Sequence, residues 1–370
     1  MRTAPVIIAF AAAAFTAPAL CGPLNPPAGA INATMKTLDA VEPRTAVSAV
    51  NTPGDAVSVY RITAPGSYYL TGNVSVPAGK SGIVIASPGV TLDLCGFAIA
   101  GVAGSASGVI DTAAAVSGIS VRNGVISGTG AAGVSLMNGA GARVKDLSLA
   151  GCARGVAAGE GAVIESCTAS QTGDAAAFTV LFNAVISKCA AIGGQGPGFQ
   201  LYEGSIVKEC SARDQAVGFD LHDESVAFDC TATLCTGDGF SASNLCRIER
   251  CTATNCGGDG IHAGARNRVI DCFVAINSGA GVRLDDPSAS VAVNSTVTGT
   301  FARGNGTGIA CLDQHCTITA NRCVNNGVNY SIVANNHVGA IVSAPLSGAI
   351  NGSSGGAGVG SADPNANLAN

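Results

Sequence analysis

The chain has 370 residues and a formal net charge of −5; only 12% of it is charged and 4% aromatic, tryptophan is absent, and there are 50 glycines. Scattered Lys and Arg on an acidic chain form no basic stripe able to neutralise a phosphate backbone, which argues against nucleic acid as a partner. A single apolar core stops growing near ~250–300 residues, so one domain of this length calls for an architecture that extends along an axis.

Arg2 precedes an uncharged apolar run from Val6 to Leu20, and Ala17 and Ala19 supply small residues at the spacing a signal peptidase prefers. Residues 1–19 read as a secretion signal, placing the mature chain outside the cytoplasm, secreted or extracellular/periplasmic, with no membrane span after its removal. Residues 20–59, with Pro23, Pro26, Pro27, Pro43 and Pro53, read as a linker and N-terminal cap.

From Tyr60 the text alternates as strands do, through Gly66–Asn73, Gly82–Ala86 and Val90–Ile99. Two phrases then recur in step. One carries Cys167, Cys189, Cys210, Cys230, Cys251 and Cys272, spaced 20 to 22 residues apart; the other is a glycine followed by an apolar residue, at Gly133, Gly155, Gly198, Gly218, Gly239, Gly260, Gly281 and Gly308. A period near 21 with Gly and β-branched residues, and no long 3.6-residue stripe, predicts coils of short parallel strands. Extending the column through Cys95, Asn123, Asp146, Asn294 and Asn321 gives about ten coils over residues 60–346, with protruding loops within Gly101–Gly118 and Thr300–Cys316. Residues 347–370, rich in Gly, Ser and Asn, read as a flexible tail.

The strand text above, followed by Val121–Gly128, resembles the opening of right-handed parallel β-helix proteins of the pectin lyase-like superfamily, over residues 60 to about 340. The resemblance implies an all-β, single-stranded right-handed parallel β-helix, and a polysaccharide or cell-surface glycan as partner. It also implies asparagines stacked in a tight turn. Asn123, Asn294 and Asn321 match that column, whereas thiols occupy most of it here and accept hydrogen bonds poorly.

Side chains in one column of a parallel coil run side by side, so the six column cysteines are expected as reduced thiols. Cys235 and Cys256, off that column and one coil apart, are the candidate disulfide.

Candidate chemistry is read by stacking residues at a common offset from the glycine phrase. Two positions after it stand Gln200, Asp220, Ser241, His262 and Arg283; the next outward column holds Tyr202, His222, Ser243, Gly264 and Asp285. Asp238 and Asp259 precede the glycine on adjacent coils, a pair able to share a calcium ion or to divide acid and nucleophile roles at a glycosidic bond. The catalytic candidates are therefore Asp220, Asp238, Asp259, His262 and Arg283, and the substrate-binding candidates Gln200, Tyr202, His222, Ser241 and Asp285. The chain contains no Asn-Thr-Asp, Gly-His-Gly or Arg-Ile-Lys triplet, so the catalytic motifs of the superfamily's lyases and hydrolases do not carry over. The resulting expectation is a surface β-helix that binds polysaccharide without catalysis. The alternatives are a polysaccharide lyase or glycoside hydrolase using the acidic, His and Arg patch, and an adhesion or structural surface protein.

Overall fold

In the computed structural model the chain divides into Met1–Glu42 and Pro43–Asn370. The structure describes residues 43–112, 116–285, 294–343, 349–352 and 365–369; residues 1–19, expected as a secretion signal, and the first part of the expected linker lie outside them. Among the described residues no helix is long and apolar enough to cross a membrane.

The described chain winds into a parallel β-solenoid. Most coils contribute three short strands, as in Phe219–Leu221, Val226–Phe228 and Thr231–Thr233, and each strand pairs in parallel with its counterparts one coil away. The strands form one sheet of fourteen and one of twenty-six. Fourteen strands in one sheet correspond to about thirteen turns, close to the ten expected from the column, which does not reach the turns at either end of the stack. The cap joins the same stack, since Thr45–Ala46 pairs with Gly66–Tyr69.

The glycine phrase marks a close approach between coils. A Cβ on Gly239 would lie 2.6 Å from the Gly260 carbonyl oxygen, and one on Gly260 would lie 2.6 Å from that of Gly281. The apolar residue that follows points inward and stacks on its equivalents. Phe178, Phe199, Phe219 and Phe240 form a fully buried column with ring centroids 5.0, 4.8 and 4.6 Å apart and nearly parallel planes. Removing one ring from such a column would leave a cavity in a close-packed core.

The corners follow one rule. A residue with positive φ reverses the chain, and the next residue points inward. Ser166, Lys188, Glu209, Asp229, Arg250 and Asp271 occupy the left-handed position with φ between 50° and 54°, and the column cysteines follow them. The mixed-sign row is thus the exposed tip of a turn. Each inward residue then caps the coil before it. The Cys167 N–H donates to Cys189 Sγ and the Cys189 N–H to Cys210 Sγ, both at 3.4 Å. The thiols in turn donate to carbonyls two residues back, as Cys210 does to Lys208 at 3.2 Å. A thiol therefore fills the capping place of an amide, with weaker bonds. Burial holds the Cys251 thiol well above its ordinary range and pushes that of Cys272 up to about 12.

Thr300, Asn321 and Asn367 continue the cysteine column: the Thr300 N–H donates to Asn321 Oδ1, and the Asn321 N–H to Asn367 Oδ1. Asn294 belongs elsewhere. It is the left-handed residue before Ser295, whose hydroxyl accepts the Asn267 N–H in a second capping column. The extra residues of that coil fall after Leu284, not in Thr300–Cys316, which forms regular coil through Phe301–Arg303 and Thr307–Cys311. Of the segment expected as a flexible tail, Asn367–Ala369 is a strand paired with Arg322–Val324 and Ile341–Ser343.

Cys235 and Cys256 are free, buried thiols, so the disulfide expected between them is not formed. They begin a third capping column that runs on through Asn277, Asn305 and Asn326, and their side chains run side by side like those of the first column. Among the described cysteines all but Cys95 are buried. A thiol reagent is expected to modify Cys95 alone among these in the native chain and the remainder on unfolding in urea; a deficit of two in urea would show that the Cys235–Cys256 bond forms after all. Asn305→Ala removes the acceptor of the Asn277 N–H and the donor to the Val274 carbonyl. It should cost about 1–3 kcal/mol for each group left unpaired, read as a lowered urea midpoint, whereas Cys210→Ala, which loses weaker bonds, should cost less.

Candidate functional site

Asp238 and Asp259 each sit between two glycines, and that arrangement sets their direction. A Cβ on Gly258 would lie 2.2 Å from Asp238 Oδ1, and one on Gly279 would lie 2.2 Å from Asp259 Oδ1. The glycine of each following coil makes room for the carboxylate of the coil before. The Asp259 N–H donates to Asp238 Oδ1 at 2.7 Å, and the Ala280 N–H to Asp259 Oδ1 at 2.6 Å. Each acid thus caps the next coil with one oxygen and turns the other toward a neighbouring cationic side chain, Asp238 toward His262 and Asp259 toward Arg283.

The structure brings Asp238, Asp259, His262, Arg283 and Asp285 together. His262 lies in register between Ser241 and Arg283. Its Nδ1 is 3.6 Å from Asp238 Oδ2, and its Nε2 is 2.6 Å from Asp285 Oδ1. Arg283 donates through Nε at 3.0 Å and through a terminal nitrogen at 2.5 Å to Asp285 Oδ2, while its other terminal nitrogen lies 3.9 Å from Asp259 Oδ2. Asp285, read from the sequence as a substrate-binding residue, is the shared partner of both cations. It sits 23 residues after His262, one coil plus the two-residue step to the neighbouring outward column, a diagonal contact that single columns do not reveal.

The environment drives these groups apart. Burial, with Asp238 adding to it, raises the Asp259 carboxyl above the ordinary aspartate range. Asp285, against its own burial, is held below that range by hydrogen bonds from Arg283 and His262. Asp238, and then Asp285 working against burial, raise His262 and favour its imidazolium form. The side chains of Asp259 and Asp285 are only 11% and 12% exposed. Asp259 and Arg283 border a cavity of about 360 Å³, completed by Ser278, Thr307, Leu312, Ser331 and neighbouring backbone.

Gln200, Tyr202, Asp220 and His222 form a second group two to three coils away on the same outward columns. Gln200 Nε2 donates to Asp220 Oδ2 at 3.2 Å, His222 Nε2 lies 3.6 Å from the same oxygen, and the Tyr202 and His222 rings stack with centroids 4.5 Å apart. Asp220 is therefore outside the main cluster, and Ser241 lies between the two groups.

Asp238, Asp259 and His262 each present a donor atom within 4.8 Å of the others. Calcium takes six to eight oxygens. Here the two carboxylates already face Arg283 and a histidine whose imidazolium form they favour, so the residues fit calcium poorly.

His262 should titrate above the ordinary histidine value, and Asp238→Asn or Asp285→Asn should lower it; proton NMR of the four histidines reads this directly. A folded-state value raised this way adds stability that is fully present below about pH 6.5 and is lost as pH rises through the folded value.

Residues 73–236 match the family described as "Right handed beta helix region". No protein of curated function matches the sequence. Among solved structures, the mannuronan C-5 epimerase AlgE4 A-module of Azotobacter vinelandii superposes with TM-score 0.54 at 12% identity, covering 74% of this chain and 90% of that one. The periplasmic alginate epimerase AlgG superposes with TM-score 0.52 at 11% identity, over 75% and 78%. The tailspike protein of E. coli bacteriophage HK620, a double mutant, superposes with TM-score 0.51 at 12% identity, over 85% and 68%. At such identity the likeness is one of fold. The chain therefore has the parallel β-helix fold, and residues 73–236, somewhat less than half of it, resemble the right-handed β-helix family.

Proposed function

We propose that this chain is a glycoside hydrolase acting on a polysaccharide laid along the solenoid axis, with Asp259 as general acid and Asp238 as nucleophile. The observation that carries the reading is the pair of carboxylates on adjacent coils, each fixed by a backbone N–H, of which Asp259 is raised by burial and opens on the cavity. Two acids whose surroundings separate their roles are the pattern of glycosidic cleavage. The polysaccharides in the names of the epimerases above point to the same broad class of ligand.

Asp259 gives its proton to the glycosidic oxygen as Asp238 bonds the anomeric carbon, releasing one half of the chain. Asp259, now a carboxylate, then takes a proton from water, whose oxygen displaces Asp238 and frees the other half. The close approach of the two acids, with oxygens within 4.8 Å, suits this double displacement better than the wider ≈ 6.5–9.5 Å spacing that leaves room for water in a single displacement. Elimination suits the site less well, because it needs a free base. His262 is held toward its imidazolium form between two carboxylates, and Arg283 is ion-paired.

The test is incubation of the purified chain with neutral and acidic polysaccharides, with and without a chelator. New reducing ends without 235 nm absorbance are expected, with no effect of the chelator. Asp259→Asn should lower kcat by about 10²–10⁴-fold with little change in KM. Silence across the panel, with retardation of the chain in a glycan-containing gel, would overturn hydrolysis and leave a binding scaffold.

A further inference from the structure

We infer that the polymer taken by this face is uncharged. The inference rests on the hydrolase reading for its site but draws on a separate observation, the charge inventory. Two carboxylates, Asp238 and Asp285, together with the proton-bearing Asp259, face His262 and Arg283. Neither cation is free for a substrate carboxylate. Arg283 spends Nε and one terminal nitrogen on Asp285, and its remaining terminal nitrogen faces Asp259. His262 has a carboxylate at each ring nitrogen. Farther up the face Asp220 adds another acid, with Gln200 and His222 around it. Residues 286–293, which follow Asp285 in the sequence, contain no Lys, Arg or His.

A uronate polymer carries a carboxylate on every sugar and would meet Asp238, Asp285 and Asp220 with neither His262 nor Arg283 free to receive it. Like charges brought together without compensation oppose binding. A neutral sugar has the complementary needs. Its hydroxyls can donate to carboxylate oxygens, which only accept, and exchange hydrogen bonds with Ser278, Thr307 and Ser331 at the cavity. Its apolar ring face has a platform in the stacked Tyr202 and His222 rings. Between that platform and Asp285 the same column holds only Ser243 and Gly264, small residues that leave space above the sheet. The site therefore recognises hydroxyls and ring faces rather than charge.

A matched pair of polymers tests this, fully methyl-esterified polygalacturonate, which is neutral, against the de-esterified uronan, which differ only in the ester at C6, extended by neutral galactan, glucan, mannan and xylan and by alginate. In affinity electrophoresis the chain should be retarded by at least one neutral polymer and by neither uronan. Asp285→Asn, which releases Arg283, should gain at least tenfold in affinity for polygalacturonate, and Tyr202→Ala should weaken retention by the neutral polymer. Retardation of the unmodified chain by a uronan, or by no polymer at all, overturns the inference. Retention by a neutral polymer without new reducing ends would sink the hydrolase reading and keep this one; new reducing ends from a uronan would do the reverse.

Discussion

The structure depends on how each coil satisfies the backbone of the coil beside it. Strands are served by the parallel ladder, but at a left-handed corner the chain turns away and an N–H is left pointing along the axis. The inward residue of the next coil receives it, whether amide, hydroxyl or thiol, as Asn277 receives that of Cys256, Ser295 that of Asn267 and Cys189 that of Cys167. Buried backbone groups must be paired, and this requirement selects small residues with a polar or polarisable tip at three corners of the coil. The Cys, Ser, Thr and Asn columns follow from it, and so does the need for a residue that tolerates positive φ just before each.

The candidate site is the same device turned outward. Before the glycine phrase the chain places Pro197, Val217, Ala280 and Thr307 on most coils, and aspartate on two adjacent ones. There the carboxylate caps the following coil, the reverse of the inward side chains, which cap the coil before, and the extra glycines at positions 258 and 279 accommodate it. The acids are tied to the sheet at one oxygen while the other faces the outward column. Their spacing is thus the spacing of the coils, and the cations on the neighbouring column arrive in register because every strand does.

The coil was legible in the sequence because two independent phrases, the glycine and the cysteine, keep one period, and a period is insensitive to the detail of any single turn. What a period cannot show is which of two neighbouring corners a residue serves. Asn294 was assigned by residue type to the wrong one, since the extra length after Leu284 shifts the count, and Asn123 and Asp146 are left-handed residues rather than inward ones. The pairing of Cys235 with Cys256 failed for a related reason: a second pair one coil apart is again a column, and column thiols do not face each other. At the site, stacking by offset found Asp238, Asp259, His262 and Arg283. The double role of Asp285 needed the diagonal between columns, and the Gly-Asp-Gly phrase around both acids was the signal that marked them as caps.

Rigidity then bears on chemistry. A solenoid strand is held by neighbours on both sides, so a side chain fixed to the ladder inherits the positional order of the sheet. Catalytic dipoles are effective when they are oriented before the reaction begins, and support from surrounding hydrogen bonds is what holds them so. Asp238 and Asp259 are each fixed by the backbone of the next coil, and His262 by a carboxylate on either side. The same contacts that orient the cluster neutralise its cations, leaving acids with oxygens to offer and no base free to remove a carbon-bound proton. Orientation and charge pairing here are one set of bonds, and the proposal of hydrolysis rather than elimination rests on that.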